Sequence, residues 1–380
     1  MTTALTDSRG PAAVWDAPIR DACDWLVRSY EATGRRGSAA HYSVVAGWSA
    51  AYPETTGYIV PTLWRAADRF GNRDYAAAAE NMAEWLVSLQ SPEGWFPGGV
   101  WRGQTSASPS VFNTGQILFG LVEAVQRTRD PRFATSLKKA VEWLAREQDA
   151  DGRWRRHAYH TSFSPSYYAH VCWPLSRAAR ISGIELAERT AIQGLRAVLQ
   201  DQLPNGAFSG WGFAPGKPAF THTIAYTLQG CVESALLLGR WDEFGQPIEK
   251  PAMRLLRSLE LSKQLAGAFD EQWKPVRWYV CLTGNCQMAS VWMRYYERTQ
   301  DARWLNAADR ALEFVCSRQP KRPWLSACRG GIAGSSPLFG RYLMGRYPNW
   351  AAKFYIDAAS DLQQHLAALW AESAAHRQAA

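Results

Sequence analysis

The sequence predicts an all-α fold built from six helical hairpins. A helix-ending motif recurs along the chain, its copies are evenly spaced, and each copy is followed by a second helical segment. In the fullest copy, residues 139–154, a helix carrying Trp143 ends near Gln148 and turns at Gly152 before Trp154. The glutamines of five copies, at positions 90, 148, 202, 264 and 319, are 54 to 62 residues apart. A period of this size indicates a repeat architecture.

Each copy of the motif is expected to clamp the end of a helix. A glutamine one turn after a buried tryptophan can bond to backbone groups that the helix end leaves unpaired. The glycine permits the sharp turn, and the aromatic residue after it covers the break. A sixth, degenerate copy has Trp25 followed by Tyr30 in place of the glutamine.

The hairpins follow one another along the whole chain. Their first helices are predicted at 18–33, 75–90, 132–148, 185–202, 248–264 and 302–319. Their second helices are predicted from about 54, 113, 166, 221, 282 and 349 to about 70, 127, 182, 239, 299 and 370. Residues 1–14 are expected to form a flexible leader, residues 15–370 a single domain, and residues 371–380 a frayed tail.

Composition and charge restrict the class of protein. The chain has 380 residues, of which 47% are apolar, and it contains 19 Trp, so it can form a large core rich in flat apolar surfaces. The formal charge of +8 suggests an acidic partner. We expect no nucleic acid, because neither a Lys/Arg run nor a nucleic-acid motif is present.

The cysteines and the hydropathy pattern point to a cytoplasmic enzyme. The seven cysteines are odd in number and scattered, which is typical of reduced core thiols. The first ten residues lack the apolar stretch of a signal peptide, and no apolar run is long enough for stable membrane insertion. The oligomeric state is left open.

The repeated clamp resembles the QW motif of the squalene–hopene cyclase and protein prenyltransferase superfamily, whose members are α/α toroids. The resemblance is full at 139–154, good at 80–96 and partial elsewhere. It implies that the six hairpins close into an (α/α)6 toroid, with the second helices lining one funnel and their N-termini facing its opening. Six positive helix-dipole ends would favour an anionic ligand there.

The chemistry of the superfamily is not expected in this chain. Terpene cyclisation needs an acidic cluster, and the sequence contains no Asp-Asp pair. Protein prenylation needs zinc, and Cys231, Cys281 and Cys286 show no ligand spacing. We therefore expect neither a metal nor a cofactor, and consider a terpene cyclase or a prenyltransferase unsupported.

Four segments resemble toroid proteins associated with bacterial exopolysaccharide, capsule and O-antigen biosynthesis. These segments are 52–58, 221–227, 281–287 and 330–335 with 347–353, and the resemblance covers roughly residues 20–360. Related toroids include glycoside hydrolases, polysaccharide lyases and the helical domain of glucuronyl C5-epimerases. The resemblance implies a carbohydrate-active protein whose partner is an acidic glycan or its precursor.

The favoured reaction is proton removal at C5 of a uronosyl residue, as in an epimerase or a lyase, because the funnel is rich in Tyr, His, Asn and Arg. The candidate catalytic residues are Glu54, His222, Tyr226, Tyr167, His170 and His160. The candidate substrate-binding residues are Asn113, Gln116, Trp211, Trp273, Arg277, Trp278, Asn285, Gln287, Arg329, Arg341, Asn349 and Lys353. Two alternatives stay open: a glycoside hydrolase that pairs Glu54 with Asp270 or Glu271, and a non-catalytic glycan-binding toroid.

Overall fold

The computed structural model describes residues 11–103, 107–160 and 163–379. These residues form twelve α-helices, joined alternately by short turns and by long connections. The helices are α1 Pro11–Glu31, α2 Pro53–Phe70, α3 Arg73–Leu89, α4 Val111–Thr128, α5 Pro131–Glu147, α6 Ala169–Ser182, α7 Glu185–Gln200, α8 Thr221–Leu237, α9 Gln246–Ser262, α10 Leu282–Thr299, α11 Ala302–Ser317 and α12 Asn349–Ala379.

The even-numbered helices form an inner ring and the odd-numbered helices surround it. Helix α4 buries every residue from 111 to 124, whereas α5 buries one stripe that includes Phe133, Leu137 and Trp143. A helix that is buried all round lies inside, and a helix with one apolar stripe lies at the surface. Each inner helix packs against the next, and α12 packs against both α1 and α2, so the ring closes. The prediction of an (α/α)6 toroid is confirmed.

Four of the predicted glutamine clamps form. The Gln148 side-chain amide donates to the carbonyls of Gly152 and of Thr190 in α7, each at 3.0 Å. Equivalent bonds of 2.9 to 3.0 Å join Gln90 to Ser136, Gln202 to Pro247 and Gln319 to Pro18. Each clamp ties the end of one outer helix to the first half of the next, and the last one joins α11 to α1.

The prediction of a fifth clamp at Gln264 is wrong. Helix α9 ends at Ser262 and the chain turns through Lys263 with φ +60°, which leaves Gln264 exposed. In the degenerate first copy, Tyr30 is buried and the Trp25 indole donates to the Ala327 carbonyl at 2.9 Å. This bond joins α1 to the last connection. The link from α1 to the next outer helix is a hydrogen bond from the Tyr75 hydroxyl of α3 to Asp24.

The glycine of the clamp is required by close packing as well as by the turn. Gly94 and Gly152 have φ values of +107° and +85°. A Cβ at Gly94 would collide with the Lys139 carbonyl of α5, and one at Gly152 with the Gln193 carbonyl of α7. Any side chain at these positions would separate neighbouring hairpins.

The six long connections from outer to inner helices lie at one end of the ring, which we call the mouth face. Its described residues are 32–52, 90–103, 107–110, 148–160, 163–168, 201–220, 263–281 and 318–348. Short strands tie the connections together: β1 His41–Ser43, β2 Gly47–Trp48, β3 Ala219–Phe220, β4 Ala268–Phe269, β5 Pro275–Val276, β6 Val280–Cys281, β7 Ser335–Ser336 and β8 Arg346–Pro348. The sheet β2-β1-β8 joins the first connection to the last, and all strand pairs are antiparallel.

Two boundaries differ from the sequence prediction. Helix α1 begins at Pro11, so residues 11–14 are helical rather than part of the leader, and residues 1–10 lie outside the described residues. Helix α12 continues to Ala379, past the predicted helix end at Trp370. Among the described residues, no helix has the length and apolar character needed to cross a membrane.

Candidate active site

A cavity of about 260 Å³ opens among the N-terminal ends of the inner helices and the connections that precede them. Its lining is dominated by aromatic rings and contains one carboxyl group and one imidazole. The lining residues are Tyr52, Glu54, Phe112, Tyr159, Tyr167, Phe213, His222, Tyr226, Tyr342, Leu343 and Trp350. Residues from α2, α4, α8 and α12 meet there, as expected for a funnel surrounded by helix starts.

Glu54 is a buried carboxyl group whose pKa is close to neutral pH. It lies in the first turn of α2, and burial among aromatic rings raises its pKa to about 7, because a charged carboxylate is poorly solvated there. The Tyr52 hydroxyl donates to Glu54 Oε2 at 2.5 Å, and the Tyr159 hydroxyl lies 3.0 Å from the same oxygen. These hydrogen bonds lower the pKa but do not offset the burial.

Tyr159 connects Glu54 to the start of α4. Its hydroxyl also contacts Asn113 Oδ1, while Asn113 Nδ2 donates to the Pro97 carbonyl at 2.7 Å. The Asn113 amide is thereby held with its oxygen toward the tyrosine. The predicted ligand Asn113 thus orients Tyr159 instead of lining the cavity itself.

His222 is a neutral imidazole on the cavity wall. Burial lowers its pKa to about 4, and its Nδ1 lies 2.7 Å from Gln287 Oε1. Because an amide oxygen only accepts hydrogen bonds, Nδ1 carries the proton and Nε2 keeps a lone pair. Gly284, one turn before Gln287, allows this contact: a Cβ there would lie 2.7 Å from the His222 backbone nitrogen and would push α10 away from α8.

A second histidine–glutamine pair lies behind the cavity wall. His170 Nδ1 is 2.7 Å from Gln116 Oε1, and the ring centroids of His170 and His222 each lie 4.2 Å from that of Tyr226. His170 is fully buried and its Nε2 has no hydrogen-bond partner among the described residues. Burial holds the pKa of His170 well below its ordinary value, so it remains neutral.

Several predicted binding residues have structural roles in the ring instead. Asn285 Nδ2 donates to the Cys281 carbonyl at 2.9 Å, and Asn349 Nδ2 donates to Ser38 and Thr55 hydroxyls. Gln116 and Gln287 hold the two histidines. None of these four amides lines the cavity, in contrast to the arrangement expected from the sequence.

Lys353 also points away from the cavity. Its Nζ lies 3.0 Å from Asp357 and 4.1 Å from the ring centre of Phe354, which separates it from the cavity. It lines a second hollow of about 180 Å³ toward the opposite end of the ring. Arg65, Arg177 and Arg294 line the same hollow and are paired with Asp357, Glu123 and Glu233.

The predicted loop residues lie outside the cavity. Trp211 is buried, with its ring centre 5.0 Å from that of Trp273, so it is not a free stacking surface. Trp273 and Arg277 line a surface groove beside α9. Trp278 and Arg341 also lie outside the cavity and are exposed. The ring of His160 stacks on that of Phe163, and the guanidinium of Arg329 lies 3.8 Å from the carboxylate of Asp21 in α1.

The predicted pairing of Glu54 with Asp270 or Glu271 does not form. Asp270 Oδ1 accepts from the backbone of Gln272 and Lys274, and Glu271 Oε1 accepts from the Gly210 backbone. Neither carboxylate lines the cavity. Among the described residues that line it, Glu54 is the single carboxyl group.

The sequence analysis missed most of the aromatic wall. Tyr52, Phe112 and Trp350 are next to predicted helix starts, so their positions carried a usable signal. Tyr159, Phe213 and Tyr342 come from connections whose path the helix periodicity does not determine. Of the predicted catalytic residues, the structure brings Glu54, Tyr167, His222 and Tyr226 together and leaves His160 and His170 outside.

Comparison with known proteins supports the fold. An unsaturated glucuronyl hydrolase specific for heparin matches with a TM-score of 0.73 and 14% identity, over 92% of this chain and 97% of that one. Cellobiose 2-epimerase from Spirochaeta thermophila matches with a TM-score of 0.75 and 15% identity, over 97% and 100%. No protein-family model matches the chain.

One curated relative shares a short segment. Ent-copalyl diphosphate synthase from a Streptomyces species is 35% identical over 92 residues, which is 24% of this chain and 16% of that protein. The chain thus spans only a small part of this relative. Together with the geometry, the structural comparisons identify the protein as an α/α toroid of the same architecture as the glucuronyl hydrolase and the cellobiose epimerase.

Proposed function

We propose that the protein is a carbohydrate-active enzyme that takes a sugar ring into the aromatic cavity and transfers a proton at a ring carbon. The observation that carries the proposal is that a buried carboxyl group with a pKa of about 7 and a neutral imidazole line the same cavity. A general base works best when its pKa is close to the working pH. The toroids of similar fold named above are a glucuronyl hydrolase and a sugar epimerase, which supports a sugar substrate.

The wall of the cavity suits a sugar ring. Pyranose rings present apolar C–H faces, which pack on aromatic side chains, and hydroxyl edges, which need a few well-placed polar groups. Phe112, Phe213 and Trp350 supply apolar surface. His222 Nε2 can accept a hydrogen bond from a sugar hydroxyl and so orient the ring.

Glu54 is the proposed general base. In its ionised form it removes a proton from a carbon next to a carboxyl or carbonyl group, and C5 of a uronosyl residue is such a carbon. The negative charge that develops on the substrate oxygen then needs hydrogen-bond donors. Tyr342 fits this role, because its hydroxyl accepts from the Trp350 indole at 2.8 Å and keeps its own proton to donate.

Tyr167 is the proposed second proton donor. Its hydroxyl is buried without a hydrogen-bond partner among the described residues, and burial holds its pKa far above the ordinary value. Donation of the Tyr167 proton to the opposite face of the carbon would complete an epimerisation, after which Glu54 loses a proton to solvent and Tyr167 regains one from it. If the C4 oxygen leaves instead and takes the Tyr167 proton, the reaction is that of a lyase.

Other reactions are less well supported by the geometry. A glycoside hydrolase of the two-carboxylate type needs a second acid near Glu54, and neither Asp270 nor Glu271 supplies it. Cyclisation of an isoprenoid by protonation needs a strong acid, whereas burial makes Glu54 a weak one. The absence of an Asp-Asp pair in the sequence agrees with this argument.

The proposal is tested by incubating the protein with uronosyl oligosaccharides in D2O and following C5 exchange by NMR. We expect exchange by the wild type and a loss of at least about 100-fold in Glu54→Gln, since the variant keeps the shape but has no base. Glu188→Gln, on the exposed surface of α7, is the matched control and should exchange at the wild-type rate.

The alternatives give different products in the same assay. Ultraviolet absorbance of an unsaturated uronate marks a lyase, and new reducing ends without unsaturation mark a hydrolase. Exchange at C2 of a neutral disaccharide, and none at C5 of a uronosyl residue, would show that the substrate is a neutral sugar. Binding with no exchange and no product would leave a glycan-binding toroid and refute the proposed enzyme.

A further inference from the structure

The exposed apolar side chains of the protein are concentrated on the mouth face. Eleven large hydrophobic residues are exposed among the described residues, and eight of them belong to the connections at the mouth or to the last turn of the helix that leads there. These eight are Val45, Tyr159, Phe213, Leu261, Trp278, Trp324, Phe339 and Met344.

The apolar side chains of the mouth face include the most exposed ones in the described part of the chain. Trp324, Val45 and Leu261 are 98%, 91% and 86% exposed, whereas Val14, Leu236 and Trp370, which lie elsewhere, are 38% to 42% exposed. A tryptophan side chain that is almost entirely in solvent buries no apolar surface and so does not stabilise the fold. Exposed apolar side chains grouped on one face mark a surface that is covered by a partner.

The positive charge of the chain is on the same face. The six connections contain 16 Lys or Arg and 6 Asp or Glu, a net charge of +10, whereas the whole chain carries +8. The remainder of the chain is therefore slightly acidic. Lys321, Arg322 and Arg341 are exposed, and none of them forms an ion pair with another described residue.

Apolar and cationic residues alternate in the last connection, residues 318–348, part of which lines the cavity. Trp324 follows Lys321 and Arg322 in one exposed loop, and Phe339 and Met344 flank Arg341 in the next segment. Tyr342 and Leu343, which lie between Phe339 and Met344 in sequence, line the cavity itself. The same loop therefore forms part of the wall of the active site and part of the exposed apolar rim.

We infer that the mouth face docks on the surface of an anionic lipid bilayer and that the cavity receives a lipid-linked glycan from it. Cationic side chains are attracted to anionic headgroups, and Trp, Phe and Met side chains insert at the boundary with the acyl chains. An acidic polysaccharide would account for the charge but not for the largely exposed apolar side chains of Val45 and Leu261. The inference about the substrate rests on the proposed function; the docking itself does not.

The test measures co-sedimentation of the full chain with lipid vesicles. We expect binding to vesicles of equal parts phosphatidylcholine and phosphatidylglycerol at about 0.1 M salt, and much weaker binding to phosphatidylcholine alone or at about 1 M salt. Trp324→Ser should lower the affinity for the anionic vesicles about ten-fold. Arg322→Glu should lower it as well and reduce the dependence on salt.

Matched controls lie at the opposite end of the ring. Trp370→Ser and Arg73→Glu change the same residue types on α12 and at the start of α3, and should leave vesicle binding unchanged. Because Trp324 is nearly fully exposed, its substitution should not change the thermal unfolding temperature. Equal binding by the mouth and control variants, or no binding to anionic vesicles, would overturn the docking.

The same preparations separate this inference from the proposed function. Trp324→Ser should retain C5 exchange on a water-soluble oligosaccharide, since that substrate needs no membrane. Turnover without vesicle binding would refute the docking alone, and vesicle binding without turnover would refute the enzyme alone. Retention on a soluble uronic acid polymer, with no vesicle binding, would assign the positive face to a glycan and refute the lipid surface.

Discussion

At the scale of single residues, two buried carboxyl groups lower the stability of the fold at neutral pH. Glu54 and Asp309 each have a pKa of about 7, raised mainly by burial. Since the folded pKa lies above the unfolded value, the folded state loses stability as the pH rises from about 4 to about 7. For Glu54, the burial that causes this loss of stability also gives the carboxyl group the pKa that its proposed role as a general base needs.

Burial also raises the pKa of Asp309, which does not line the candidate active-site cavity. It lies on the buried side of α11, and neither carboxyl oxygen has a hydrogen-bond partner among the described residues. The nearby negative charge of Glu313 raises its pKa further. Its ionisation is therefore opposed by both burial and repulsion.

We predict that Asp309→Asn stabilises the protein at pH 8 by roughly 2 kcal/mol and has little effect at pH 4, where the acid is already protonated in the folded state. The free energy of unfolding in urea at both pH values is the measurement. Glu188→Gln, on the exposed surface of α7 and away from Asp309, is the control and should change stability by less than about 0.5 kcal/mol at either pH. An equal gain at pH 4 and pH 8 would contradict the assignment of the cost to ionisation.

At the scale of elements, the glutamine clamps hold neighbouring outer helices together. The Gln148 amide satisfies two carbonyls, Gly152 in its own turn and Thr190 in α7. One side chain thus pairs the carbonyl of its own turn and adds a hydrogen bond to a carbonyl inside the neighbouring helix α7.

We predict that Gln148→Ala destabilises the fold by roughly 1 to 3 kcal/mol, because the Gly152 carbonyl loses this hydrogen bond in a partly buried place and the end of α5 loses its bond to α7. Gln264→Ala removes the glutamine of the copy that does not clamp and should have almost no effect. The measurement is the unfolding temperature and the free energy of unfolding in urea for each variant and for the wild type. Similar losses for both glutamines would show that the hydrogen bonds at Gln148 are not the source of its effect.

At the scale of the whole molecule, the closed ring distinguishes this protein from an open stack of repeats. The last hairpin returns to the first through the strand pair β1–β8 and through Asn349, whose amide donates to Ser38 Oγ at 3.0 Å and Thr55 Oγ1 at 2.8 Å. In an open repeat protein the terminal units can unfold separately. A closed ring has no free terminal unit.

We predict that Asn349→Ala lowers the free energy of unfolding by roughly 1 to 3 kcal/mol, because it removes two buried hydrogen bonds at the closure. Far-UV circular dichroism and tryptophan fluorescence should still report one common transition in the wild type. Asn306→Ala, on an exposed part of α11, should be neutral. Two separate transitions in the wild type would show that the hairpins do not unfold as one unit.

The sequence by itself determined the architecture of this protein. The clamp period and the helix starts predicted six hairpins in the correct order, because hydrophobic periodicity and turn residues act locally. The same local signals placed Glu54, Tyr167, His222 and Tyr226 at one opening. They failed at Gln264, where α9 ends in a different turn.

Only the tertiary structure decided what each polar side chain does. Asn285, Gln287 and Asn349 lie in the first two turns of inner helices as predicted, yet none of them lines the cavity. The amide of Asn285 bonds to the start of its own helix, that of Gln287 to His222 of α8, and that of Asn349 to the first connection and α2. The aromatic wall is contributed largely by connections whose path depends on contacts far apart in sequence, such as those that bring Tyr159 to Glu54. Helix starts follow from local sequence, whereas the direction of a buried side chain follows from which neighbour can satisfy it.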